Sequence, residues 1–163
     1  MDAYRALVAK RDQRAFLPRP IPEDALGRIL QAGRMTGSSK NREPNRFIVV
    51  RDADRLAALG RLSRFGRWLG DAAAVVILVQ TEEHAFDAGR AAQNMMLAAW
   101  ADGIGSCPAH LPEAELAKLL GIPSTVSINR VIGFGYVDPE RAAPPLRRPP
   151  PTSLSELVHW ETW

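Results

Sequence analysis

A chain of 163 residues with 46% hydrophobic and 24% charged residues fits a single globular domain with a sizeable core, and it excludes extensive disorder. A net charge of +3, spread over 21 Lys and Arg against 18 acids, is too dispersed for a nucleic-acid surface but favours an anionic small molecule. Cys107 is the single cysteine, so no intramolecular disulfide forms, and no apolar run has signal-peptide or membrane-spanning character, which makes a cytoplasmic protein the expectation.

In chain order, Tyr4, Leu7 and Val8 fall at helical spacing between Asp2 and Ala9. The charged run Lys10, Arg11, Asp12 and Arg14 follows that short helix. Pro18, Pro20 and Pro22 forbid its continuation, and Pro22 with Glu23 and Asp24 opens a second helix, placing acids at the positive end of its dipole. Leu26, Ile29, Leu30 and Gly33 make one face of this helix, which is expected to end near Arg34.

The stretch from Thr36 to Val50 runs from small polar residues into the apolar sequence Phe47-Ile48-Val49-Val50, which suits a buried strand. Two readings stand for it: an ordinary helix-to-strand connection, or a loop whose Ser38, Ser39 and Asn41 grip a ligand at the mouth of a rigid element. Asp52 to Leu62 carries Leu56, Leu59 and Leu62 on one stripe of a surface helix. Ala73 to Val79 is apolar throughout, as in a central strand covered on both faces. The longest helical stretch runs from about His84 to Asp102. Ala88, Ala91, Ala92, Met95, Met96, Ala98, Ala99 and Trp100 make it apolar on more than one side, which implies burial in the core or against a second subunit.

Gly103-Ile104-Gly105 closes that helix. Ser106 to His110 is then a polar loop or strand end, and Pro112 opens a helix stopped by Gly121 and Pro123. Val126 to Val137 reads as a strand whose Gly133 and Gly135 mark a bulge or a close backbone approach. Residues 138–151 hold six of the 13 prolines and form a semi-extended arm, whereas 152–163 regain apolar content in Leu154, Leu157, Val158, Trp160 and Trp163 and are expected to dock on a partner. Zinc-ligand spacing, a nucleophile elbow and a phosphate-binding Gly-Lys-Ser/Thr loop are all missing. The alternation of elements implies an α/β or α+β layered domain.

Four segments in order resemble the nitroreductase family of flavin enzymes. Lys10 to Leu30, KRDQRAFLPRPIPEDALGRIL, is similar to its Arg-Arg-Ser-x-Arg opening with Phe and Pro-Ile-Pro; Ser38 to Pro44, SSKNREP, to its Ser-Ser-x-Asn-x-Gln-Pro-Trp. Asp87 to Cys107 resembles the central helix and its Gly-Leu-Gly exit, and Ser153 to Trp160 the closing Leu-x-Glu-Val-Val-His. The resemblance implies one α+β domain over residues 1–163, with a central mixed or antiparallel sheet flanked by helices. It further implies an interlocked homodimer with two FMN sites at the interface, the C-terminal arm wrapping the partner.

The implied reaction passes hydride from NAD(P)H through the flavin to a nitro compound, quinone or similar acceptor, with no catalytic side chain and no metal; a deazaflavin reductant is equally compatible. The implied cofactor residues begin with Lys10, Arg11, Asp12 and Arg14, of which Lys10 and Arg14 are cations for the phosphate or the pyrimidine edge of the ring. Ser38, Ser39 and Asn41 are lent from the other subunit. Pro108, Ala109 and His110 approach the reactive face, where the His110 amide is the donor to the hydride-accepting nitrogen. Arg147 and Arg148 are displaced upstream of the usual basic pair.

Asp12 stands where Ser is usual, and a carboxylate 4 Å from a phosphate costs about 4 kcal/mol per charge pair at an effective dielectric near 20. FMN binding therefore requires Asp12 to turn away or to pair with Arg11 or Arg14. Glu43 and Asn45 replace Gln and Trp, and the short step from Gln80 to His84 leaves no room for a lid. The alternative function is a catalytically inactive flavin- or anion-binding dimer, a sensor or carrier.

Overall fold

The computed structural model describes residues 2–142 and 151–163. Helix α1 (Ala3–Ala9) starts where the Asp2 carboxylate accepts from the Arg5 amide at 2.9 Å. Helix α2 (Glu23–Arg34) begins after Pro22 with two acids in its first turn and Arg34 in its last, both matched to the helix dipole. Strand β1 (Asn45–Val50) leads to α3 (Ala53–Arg61), capped by Asp52, and then to β2 (Ala74–Gln80). Helix α4 (Ala85–Ala101), strand β3 (Gly105–Ala109), α5 (Glu113–Leu120), β4 (Ser127–Gly135) and the one-turn α6 (Leu154–Leu157) complete the order. No helix among the described residues is long and apolar enough to cross a membrane.

The four strands form one sheet in the order β1-β2-β4-β3, and every ladder is antiparallel, which settles the mixed-or-antiparallel expectation. Parallel pairing is confined to a single bridge between Asp12 and Ser106. Strand β2 is buried at all seven positions and divides the core in two. Ala74, Val76 and Leu78 face a cluster built with Ile29 of α2 and Ala88, Ala91 and Met95 of α4. Val75, Ile77 and Val79 face Leu56 and Leu59 of α3, Leu69 and Leu116. Burying each such aliphatic side chain contributes about 1.5–3 kcal/mol, so this strand fixes the register of both layers.

Strand β1 departs from the buried strand expected of Phe47–Val50. It lies at a sheet edge with Val49 exposed, because only β2 is available to pair with it. The glycines of β4 mark close approach. A Cβ on Gly133 would lie 2.5 Å from the Trp68 ring, and one on Gly135 2.7 Å from Phe16, whereas the strand's irregularity falls opposite Leu78 and Val79. Helix α4 keeps Ala88, Ala91, Ala92, Met95, Met96 and Ala99 inside, and presents Phe86, Gly89, Arg90, Gln93 and Asn94 outward. The apolar side chains of 154–163 are all exposed on the single chain.

Candidate cofactor site

The segment after α1 is threaded along the open edge of the sheet. Gln13 N donates to Ser106 O at 3.0 Å, Leu17 N to Tyr136 O at 2.8 Å and Asp138 N to Ala15 O at 3.0 Å. Phe16, 1% exposed, anchors this run between Gly135 and Trp68, whose ring centroid lies 6.0 Å away. An edge strand that would otherwise present unpaired backbone groups is thus covered, and the charged side chains are fixed beside it.

Lys10 folds inward: its side chain is 9% exposed, and its ammonium donates to the Asp12 carboxylate and contacts Met96 Sδ at 3.5 Å. Arg14 Nε donates to Cys107 Sγ at 3.2 Å. Burial pushes the Cys107 thiol above the usual cysteine range, only partly offset by Arg14, so it remains a thiol at neutral pH and has no nucleophilic character. Arg11 points elsewhere, donating to the carbonyls of Val8 and Lys10 at 2.8 Å each and closing the end of α1. Asp12 therefore pairs neither with Arg11 nor with Arg14, as the sequence suggested, but with Lys10. Carbonyls occupy Arg11 and the thiol occupies Arg14, which leaves the inward-folded ammonium as its partner.

At the far end of β3, Pro108 and Ala109 are half-buried and His110 is exposed. Lys10, Asp12, Arg14, Ser106 and Cys107 therefore form one cluster, from which Pro108, Ala109 and His110 lead on along and just past β3. Within it the Ser106 hydroxyl is buried with no hydrogen-bond partner among the described residues.

The Ser38–Asn41 loop is held elsewhere. Ser39 N donates to the buried Asp87 carboxylate at 2.9 Å, Asn94 Nδ2 to Thr36 Oγ1 at 2.8 Å, and Glu43 N to Ser38 Oγ at 2.9 Å. Lys40, Asn41 and Glu43 all adopt positive φ, between 51° and 52°, a costly cluster for residues with a Cβ. Asp87 and Met96, which mark the two groups, stand nine residues apart on α4, or about 13 Å along its axis. Ser39 thus meets α4 near its start at Asp87, Thr36 meets it at Asn94, and Lys10 meets it at Met96.

Asn45, in the place of the usual Trp, belongs to a polar knot instead of a site wall. It accepts from Gln80 Nε2 at 2.7 Å, and Gln80 Oε1 accepts from His84 N and Asn129 Nδ2. The Asp87 clamp and this knot were not singled out from sequence; an acid in the first turn of α4 with Arg90 three residues on was the available signal. Arg147 and Arg148 lie outside the described residues.

The family model described as nitroreductase matches residues 7–65 and 65–136. This chain belongs to the nitroreductase family. Residues 10–14, 38–41 and 106–110 of this family member fall within the matched residues. A protein of Archaeoglobus fulgidus, provisionally named NADH dehydrogenase/NAD(P)H nitroreductase, is 28% identical over 153 residues, 86% of this chain and 88% of the relative. Among solved structures, an FMN-dependent nitroreductase from Clostridium difficile superposes with a TM-score of 0.86 over 98% of this chain and 99% of the other, at 24% identity. A Desulfovibrio desulfuricans protein, provisionally described as a nitroreductase and solved with FMN, gives 0.81 over 100% and 99%, at 26% identity.

Proposed function

We propose that this chain is an FMN-dependent oxidoreductase that works as a homodimer. The observation that carries the proposal is that Ser39 and Lys10 meet α4 about 13 Å apart, at Asp87 and at Met96. A two-fold axis pairing the exposed faces of two α4 helices antiparallel brings the 38–41 loop of one protomer to the Lys10, Arg14 and 108–110 cluster of its partner, and builds two equivalent sites. The exposed Leu154, Leu157, Trp160 and Trp163 then dock on the partner.

The donor set suits a flavin. Lys10 and Arg14 supply positive charge, the His110 amide and the Ser38, Ser39 and Asn41 side chains supply donors, and the unpaired Ser106 hydroxyl marks a place where polar capacity is unspent. When bound, FMN supplies the redox chemistry, taking hydride from NAD(P)H and passing it to a nitro compound, quinone or similar electrophile. The chain itself would orient the ring: Pro108 and Ala109 would wall one face, Arg14 would set the charge at the ring edge, and the His110 amide would align the hydride-accepting atom. The four residues from Thr81 to His84 that join β2 to α4 leave that face open to acceptors of varied size. A second reading, a sensor or carrier without turnover, draws support from Asp12, which offsets the most enclosed cation.

The absorbance spectrum of the purified protein, before and after NADH or NADPH, tests the proposal. Flavin bands that bleach on reduction, with steady nicotinamide oxidation once a quinone is added, are expected. A colourless protein that gains neither flavin absorbance nor thermal stability from FMN refutes it, and flavin binding without turnover selects the second reading.

A further inference from the structure

Of the three lysines in the chain, Lys40 and Lys118 are exposed, and Lys10 alone is folded into the protein. An enclosed cation is screened least by water and salt, so it is the group best able to fix an anion. Its carboxylate partner Asp12 is half-exposed at 51%, with no other ion-pair partner among the described residues. The other cations of the cluster donate to neutral groups, Arg11 through Nη1 to carbonyls at the end of α1 and Arg14 through Nε to Cys107, so Lys10 alone has its charge offset within the segment. Over residues 10–14 the three positive charges of Lys10, Arg11 and Arg14 are thus reduced by one, and the reduction falls on the most enclosed of them.

A phosphate approaching Lys10 either displaces Asp12 or meets a fixed carboxylate beside it. A flavin lacking the phosphate pays neither penalty. Resting on the flavin reading above, we propose that Asp12 is a charge-selectivity residue: it ties up Lys10 so that the site binds flavin by its ring and ribityl chain, with riboflavin held about as well as FMN.

Full-length protein freed of flavin is titrated with FMN and with riboflavin at low and high NaCl, following the quenching of flavin fluorescence. In the wild type the two dissociation constants are expected to agree within about three-fold. Asp12→Asn and Asp12→Ser each tighten FMN at least ten-fold, leave riboflavin within about three-fold, and lose much of the gain at high salt. The double variant Lys10→Met/Asp12→Asn, which removes both charges, restores the wild-type ratio. The half-exposed position of Asp12 favours folding of the single variants, and the wild-type ratio and the double variant are independent of them.

A wild type that prefers FMN by a hundred-fold, or a ratio that none of the three substitutions moves, overturns the assignment of Asp12 and leaves the flavin reading intact. Failure of every form to bind either flavin overturns both.

Discussion

Replacing Asp87 tests whether the 38–41 loop is held in shape for a ligand. In Asp87→Ala the Ser39 amide loses a charge-assisted hydrogen bond of 2.9 Å from a carboxylate that is 3% exposed, and Arg90 loses a partner at 3.7 Å. Hydrogen bonds to charged groups contribute about 1.5–3 kcal/mol, and because Ser39 is exposed and its amide can turn to water, the lower half of that range applies. The half-exposed Arg90 pair adds at most about 0.5 kcal/mol. A loss near 2 kcal/mol lowers the melting temperature by roughly 4–8 °C in a domain of this size.

The local effect is larger. Each of the positive-φ residues Lys40, Asn41 and Glu43 stores about 1–2 kcal/mol, and Asp87 and Ser38 are the groups seen holding that conformation. Without Asp87 the loop is expected to relax while the sheet stays folded. Amide exchange at residues 38–43 should accelerate by more than ten-fold, FMN affinity should fall by ten-fold or more, and exchange in β2 should change only as far as global stability does. Asp87→Asn, which keeps an acceptor oxygen, should recover most of the affinity. Unchanged exchange in the loop, or an Asn variant as impaired as the Ala variant, would refute the reasoning.

Gly133→Ala places a methyl 2.5 Å from Trp68 and 3.0 Å from Leu69, so the indole must shift; a loss of about 1–3 kcal/mol in urea unfolding is expected, with a change in Trp fluorescence. The raised Cys107 thiol contributes stability that is complete below the unfolded cysteine value of about 8.5 and is lost as pH rises through its higher folded value. Wild-type stability should therefore decline above about pH 8.5 more steeply than that of Cys107→Ala, and native protein at pH 7.5 should resist thiol alkylation; equal slopes would count against the burial.

Much of the fold was legible because its punctuation is explicit. Pro22 and Pro112 open helices, Gly103 and Gly121 close them with φ of 73° and 65°, and the Ala-Val-Val-Ile-Leu-Val run of β2 could be satisfied only between two layers. The edge position of β1 was not legible, since a run of four apolar residues is the same whether one neighbour or two will pair with it. Around the candidate site, the residue types in 10–14, 38–41 and 108–110 were readable, and the structure joins Asp12 and Arg14 to Ser106 and Cys107 while tying Ser39 to Asp87. The Lys10–Asp12 pairing depends on which side chains backbone carbonyls and a thiol have already engaged, and no sequence pattern encodes that competition.

The strand order has a further consequence, for synthesis. Among the strands β3 has β4 as its one neighbour, and β4 in turn must dock on β2, some fifty residues earlier in the chain. The segment at residues 12–17 gains its backbone anchors from Ser106, Tyr136 and Val137, so the first part of the chain to leave the ribosome is among the last to be set in place.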